Sequence, residues 1–288
     1  MKQKYGQCHI CGENTKLSYE HIPPSSAFNK ISRKMVGMDI LSMNEQNEGI
    51  LQGQKYKSFQ KGFGDFTLCE KCNTITGSKY GAVYTKIVQA VGIQILQIPK
   101  VNKYNELKIT IENINCLAFF KQIISMFCSI NTVNWGMQFK EYLLNPENNE
   151  FNTDRYKICT YLHQGTMDRV CPMCVLWNPL NGTSKEVSEI SFFPFGFILY
   201  DSKHVTDNTI IGTDISAWGT KEYKEEQLEI SMVSVMMSSS SPSSAYICFS
   251  SSSTLLPLVI ATRRRFLEVF LSQKEFLPML FRHARKSS

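Results

Sequence analysis

The chain has 288 residues, 43% of them hydrophobic and 19% charged, with 18 Phe and 12 Tyr, so it can bury a full core and lacks the high-charge, low-hydrophobicity signature of disorder. Its net charge of +6 permits contact with an anionic partner without requiring one. The opening MKQKYGQCHICG has no apolar h-region, no run of about 18 apolar residues follows, and ten cysteines are too sparse for a disulfide scaffold; the expectation is a cytoplasmic protein that spans no membrane.

Residues 1–85 are rich in turn formers and polar residues and form a first module. From about Ser78 the pattern lengthens: YGAVYTKIVQAVGIQIL predicts a helix, ELKITIENI a strand, and CLAFFKQIISMFCSI a mostly buried helix. ICTYLH fits a helix or a strand, while ISFFPFGFILY, interrupted by Pro and Gly, and LEISMVSVMM read as strands. Residues 86–236 thus make a mixed accessory domain that selects substrate, senses a signal or dimerises. SSSSPSSAYICFSSSSTLLPL opens a Ser-rich linker and basic tail over 237–288. The fold class expected is α+β.

The first module holds two CxxC pairs, Cys8-His9-Ile10-Cys11 and Cys69-Glu70-Lys71-Cys72, separated by 57 residues. A CxxC turn aims two thiolates at one ion, so two such turns complete the tetrahedral four-sulfur set of a structural Zn²⁺. The metal closes a large loop and replaces core that a loop-rich module could not supply. His9, inside the first turn, is expected to face solvent.

Between the pairs stands Glu20-His21-Ile22-Pro23-Pro24, and Asn73 follows Cys72 directly. A neutral imidazole near pH 7 suits activation of water for phosphodiester hydrolysis, and carboxylate and amide oxygens suit a hard cation. These residues resemble the HNH endonuclease family, which carries an acidic residue and His in a [D/E]-H-I-x-P string and a His or Asn just after the last cysteine. The match covers about the first 80 residues. It implies a ββα-metal core with His21 as general base, Glu20 and Asn73 as ligands of a catalytic Mg²⁺ or Mn²⁺, and a nucleic acid, DNA rather than RNA, as substrate. By analogy with small bacterial HNH proteins that carry an added C-terminal domain, it also implies a defence effector. The other class of function open to such a module is a catalytically silent zinc-ribbon adaptor for nucleic acid or protein.

The chain departs from that pattern twice. No Asn precedes Cys69 where the family orients its base; Asp65, Asn44 and Asn47 are the substitutes on offer. His21 and Asn73 are 52 positions apart, so an insert must loop out. Separately, Lys30, Arg33 and Lys34, then Lys55, Lys57 and Lys61 with Tyr56, Phe59 and Phe63 interleaved, suit phosphate contact and base stacking, or are simply solvated. Cys159, His163, Cys171 and Cys174 offer a second metal site or buried residues, and the buried alternative is favoured. Cys116, Cys128 and Cys248 read as core, and Arg263 to Arg265 form a basic run in the tail.

Overall fold

The computed structural model describes residues 4–37, 57–97, 106–163, 168–178, 183–202, 211–233, 247–249 and 257–260. Strands β1 (Lys4–Gln7) and β2 (Asn14–His21) pair antiparallel around the first CxxC turn, with Lys4 opposite Leu17. That turn closes at Gly12, whose N–H donates to the Cys8 carbonyl at 2.9 Å and whose φ of +78° disfavours any residue with a Cβ. β3 (Arg33–Gly37) and β4 (Lys57–Phe59) pair with each other. β5 (Gly64–Cys69) returns along β2, placing Cys69 opposite Leu17, and bulges at Thr67. Helix α1 (Glu70–Thr76) starts at once, its Cys72 N–H donating to the Cys69 sulfur at 3.5 Å, and a π-helical turn (Gly77–Gly81) carries it into α2 (Ala82–Gln97).

β6 (Glu106–Asn115) leads into α3 (Cys116–Ile130), capped by the Asn115 side chain, which accepts from the Ala118 N–H at 2.8 Å. Short helices α4 (Val133–Gly136) and α5 (Lys140–Leu144) follow. The strands β7 (Tyr156–Leu162), β8 (Arg169–Asn178), β9 (Thr183–Phe192), β10 (Phe195–Asp201), β11 (Thr213–Asp214), β12 (Glu225–Val233), β13 (Ile247–Phe249) and β14 (Pro257–Ile260) follow among the described residues.

The fold is α+β. β1, β2 and β5 form one sheet, β6 and β12 a ribbon, and a large sheet runs β11-β7-β10-β9-β8-β14-β3-β4, with β13 paired to β8. The stretch that Pro and Gly interrupt is the β9–β10 hairpin, with Phe193-Pro194 between the strands. ICTYLH resolves as strand β7, because it is flanked by β10 and β11 and buried on both faces. Inside the Ser-rich segment, the apolar ICF and PLVI pair with β8 and β3 rather than continuing as linker.

Helix α3 is the axis of the core: every residue from Cys116 to Ser129 is buried. One apolar cluster joins it to Cys8 of the first CxxC turn, to Leu17 and Leu68 of the first sheet, to Ile87 and Val91 of α2, and to Phe195 and Phe197 of β10. Burying polar residues on such a helix requires partners. Lys121 finds three, donating Nζ to the carbonyls of Tyr142, Asn145 and Pro146 at 2.7, 2.7 and 2.9 Å.

A second buried charge links the first 85 residues to the large sheet. Arg33 Nε donates to Asp168 Oδ2 at 2.7 Å, and both side chains are 2% exposed. The guanidinium also lies over the Phe192 ring, 5.1 Å from its centroid. Removing one member leaves the other charged and unpaired in a low dielectric, so Asp168→Ala is expected to lower unfolding free energy by about 3–5 kcal/mol. Lys4→Ala, which breaks the exposed 3.4 Å contact to Asp65, should cost less than about 1 kcal/mol, both variants being read by urea titration.

Candidate metal centre and active site

The four cysteine sulfurs lie within 4.8 Å of one another, at the junction of the first CxxC turn, β5 and α1. A zinc ion about 2.3 Å from each of four sulfurs demands edges of about 3.8 Å. Cys11 and Cys69 already stand at 3.8 Å, and the donor set of four sulfurs fits a metal ion such as zinc. Backbone amides prepare the sulfurs for negative charge, Cys69 N–H donating to the Cys8 sulfur at 3.3 Å. The Cys72 thiol beside it draws Cys8 down to about 4, while the same pairing pushes Cys72 well up and burial raises Cys11 to about 11. Four thiolates so close need a dication between them.

His9 does not face solvent. Its Nδ1–H donates to the Cys128 carbonyl near the end of α3 at 2.9 Å, and Gly12 packs so closely on Met137 that a Cβ would lie 2.7 Å from its sulfur. The first CxxC turn is thereby docked on α3 and the helices after it.

His21 ends β2 and packs edge-on against Tyr19, ring centroids 5.1 Å apart. Its Nε2 lies 3.2 Å from the Lys61 carbonyl, which can only accept, so Nε2 carries the proton and Nδ1 is the basic nitrogen. Partial burial lowers its pKa, against the raising effect of that carbonyl, which keeps the ring neutral near pH 7. Asn73 lies within α1 and donates Nδ2 to Ser18 Oγ at 3.0 Å and to the Tyr19 carbonyl at 3.4 Å.

Glu20 is placed otherwise than the HNH resemblance implies. Successive residues of a strand face opposite ways, so Glu20 projects with Ser18 toward the helices while Tyr19 and His21 project from the other face. Its carboxylate is 5% exposed and accepts from the hydroxyls of Ser129 on α3 and of Thr67, the latter at 3.4 Å. No hydrogen bond joins Glu20, His21 and Asn73 to one another. The donor set therefore does not fit a catalytic Mg²⁺ or Mn²⁺: hard dications bind through carboxylates, and here one neutral amide oxygen is on offer.

Of the stand-ins for the absent middle Asn, Asp65 turns to Lys4 and to the Phe66 N–H, and residues 44 and 47 lie outside the described residues. The Lys61 main-chain carbonyl holds the His21 ring instead, and a main-chain atom leaves no signal in residue type. Arg33, expected in a basic surface cluster, is buried in the core, as are Phe59 and Phe63; Lys55 and Tyr56 lie outside the described residues. Lys30, Lys34, Lys57 and Lys61 are exposed.

Among the described residues the four cysteines are the sole cluster of three or more His, Cys, Asp or Glu with converging ligand atoms. Cys171 and Cys174 have sulfurs 3.6 Å apart within a small apolar cluster that includes Cys159, and His163 Nε2 faces Asp168 Oδ1 at 3.5 Å. Cys116 and Cys128 are buried; the side chain of residue 248 and the basic run at 263–265 lie outside the described residues. No described helix is long and apolar enough to cross a membrane. Comparison with known protein families, with characterised proteins and with solved structures gives no match.

Cys72→Ser replaces a thiolate by a poor zinc ligand, and metal analysis of the purified variant should show bound zinc lost together with the far-UV signal of α1. Glu20 carries a separate expectation. Burial, the largest effect, lifts its carboxyl from 4.5 to about 7 against the pull of the Ser129 and Thr67 hydroxyls. Between those pH values the folded chain keeps a proton that the unfolded chain loses, so stability falls as pH rises through that window. Glu20→Gln removes the slope and should gain about 3 kcal/mol above pH 7, read from urea midpoints across the window.

Proposed function

We propose that the protein is an endonuclease that hydrolyses phosphodiester bonds in DNA, with His21 as general base. The observation that carries this is the state of the His21 ring: half-buried, neutral, anchored at Nε2–H and presenting a basic Nδ1. In that role Nδ1 takes a proton from water, the water oxygen attacks phosphorus, and the bond from phosphorus to the leaving oxygen breaks, that oxygen taking a proton from solvent. Lys61, whose carbonyl holds the ring, is exposed and supplies a cation next to the scissile phosphate. Tyr19, 37% exposed and in contact with His21, offers a face on which a base can stack.

The four-cysteine cluster serves this chemistry at one remove. It ties the end of β5 and the start of α1 to the turn after β1, and β2, which bears His21, lies between β1 and β5. Divalent-ion participation is what the HNH resemblance implies, but the residues it implies do not form a site for it beside His21: Asn73 is bonded to Ser18, and Glu20 stays with Ser129 and supports the core.

That inward seat of Glu20 also favours a second reading, a non-catalytic zinc-binding adaptor for nucleic acid, in which His21 is only a surface residue. The two part on one experiment. Supercoiled plasmid is incubated with wild type and with His21→Ala, each of verified zinc content, with and without Mg²⁺ or Mn²⁺. Wild type should nick and linearise the plasmid, and His21→Ala should be slower by about 100-fold or more. Equal plasmid binding by both proteins, with no cleavage under any condition, gives the adaptor.

A further inference from the structure

Two segments meet at His21: the chain leaving β2 through Ile22 and Pro23, and the turn Lys61-Gly62-Phe63 whose first carbonyl holds the ring. Apart from that bond, one backbone bond joins them, Ile22 N–H to the Phe63 carbonyl at 3.1 Å. The rest comes from Asn29. Its side chain is 0% exposed, and each of its hydrogen-bonding positions is used. Nδ2 donates to the Pro23 carbonyl at 2.6 Å and to the Phe63 carbonyl at 2.8 Å. Oδ1 accepts from the Phe63 N–H at 2.9 Å and from Arg33 at 2.8 Å.

The amide orientation is unambiguous, because the two carbonyls can only accept and the N–H can only donate. The turn also touches the Asn29 backbone: a Cβ on Gly62, at φ +93°, would lie 1.8 Å from the Asn29 carbonyl oxygen. Arg33 then passes the connection to Asp168 beside β8.

We propose that Asn29 is the positioning residue of His21, holding the Lys61 carbonyl in register with the imidazole so that the ring keeps a single Nε2–H tautomer. Its effect on catalysis rests on His21 being the base of the proposed hydrolysis; its effect on the ring rests on these hydrogen bonds alone. Asn29 touches no substrate and acts only through the turn. A loosened Lys61 carbonyl frees the ring to exchange its proton between nitrogens, and a base with the wrong nitrogen exposed is misaligned rather than absent.

The test uses the full zinc-loaded chain with ¹⁵N-labelled histidine. Long-range proton–nitrogen spectra report the tautomer, and the His21 signals are assigned by their loss in His21→Gln. Wild type should show the pure Nε2–H form. Asn29→Asp keeps the size and both acceptor contacts but has no donor for the Pro23 and Phe63 carbonyls. With zinc retained, it should give averaged ring shifts and a plasmid-cleavage kcat at least about tenfold lower, with KM little changed.

A pure Nε2–H tautomer in zinc-retaining Asn29→Asp, or an Nδ1–H ring in wild type, overturns the proposal. Should the variant not retain zinc, wild-type hydrogen exchange decides: the His21 Nε2 proton and the Asn29 amide protons should become exchangeable at the same urea concentration. Earlier release of the His21 proton overturns the proposal. A scrambled tautomer in Asn29→Asp whose wild type cleaves no DNA upholds the positioning and sinks the nuclease.

Discussion

Four sulfurs held within 4.8 Å constrain more of this molecule than any other contact. Cys8 and Cys11 sit on the turn after β1, Cys69 ends β5 and caps α1, and Cys72 lies in that helix. Moving any of the four shifts the antiparallel register of β2 between β1 and β5 or the angle of α1 across them. The cluster also reaches outward, since His9 within the first turn is bonded to α3 and Gly12 packs on Met137. A dication among the four would offset the mutual repulsion of thiolates in a site this dry, and its binding free energy is folding free energy for the surrounding loops.

Around that clamp, the two faces of β2 do different work. The inner face gives Glu20 to the core, where burial, against the pull of two hydroxyls, holds its proton to higher pH than usual. The outer face gives Tyr19 and His21 to the surface. Strand alternation makes this division unavoidable for neighbouring residues within a regular strand. It separates the pair that the HNH resemblance joins in one site, and leaves His21 at the surface with its ring set by a main-chain carbonyl.

The buried polar groups supply specificity where apolar packing would not. Asn29, Arg33 and Asp168 form a line from the His21 turn to the large sheet, and Lys121 knots α3 to carbonyls in and just after α5. Each such group costs desolvation and is tolerable only in one arrangement, so the network favours a single relative placement of the parts it joins. The apolar cluster continuous from Cys8 to Phe197 lets that placement be rigid.

Much of this was legible along the chain. The spacing of the cysteine pairs determined the four-sulfur set, because a CxxC turn is a local structure that needs no knowledge of the fold. Apolar periodicity determined α2 and α3, and alternation determined β6 and β12, since both patterns report local geometry. What only the tertiary structure decided was which way shared residues face. Arg33, Phe59 and Phe63 look like a nucleic-acid surface in sequence and are core in space, because β3 and β4 join a sheet whose other strands lie about a hundred or more residues away. Glu20 and His21 look like one site and lie on two faces. The orienting partner of His21 is a backbone oxygen, and its support is Asn29, which stands in no recognisable motif. Hydrogen bonds between main-chain atoms brought together by folding do not depend on residue type, and so the sequence alone could not show them.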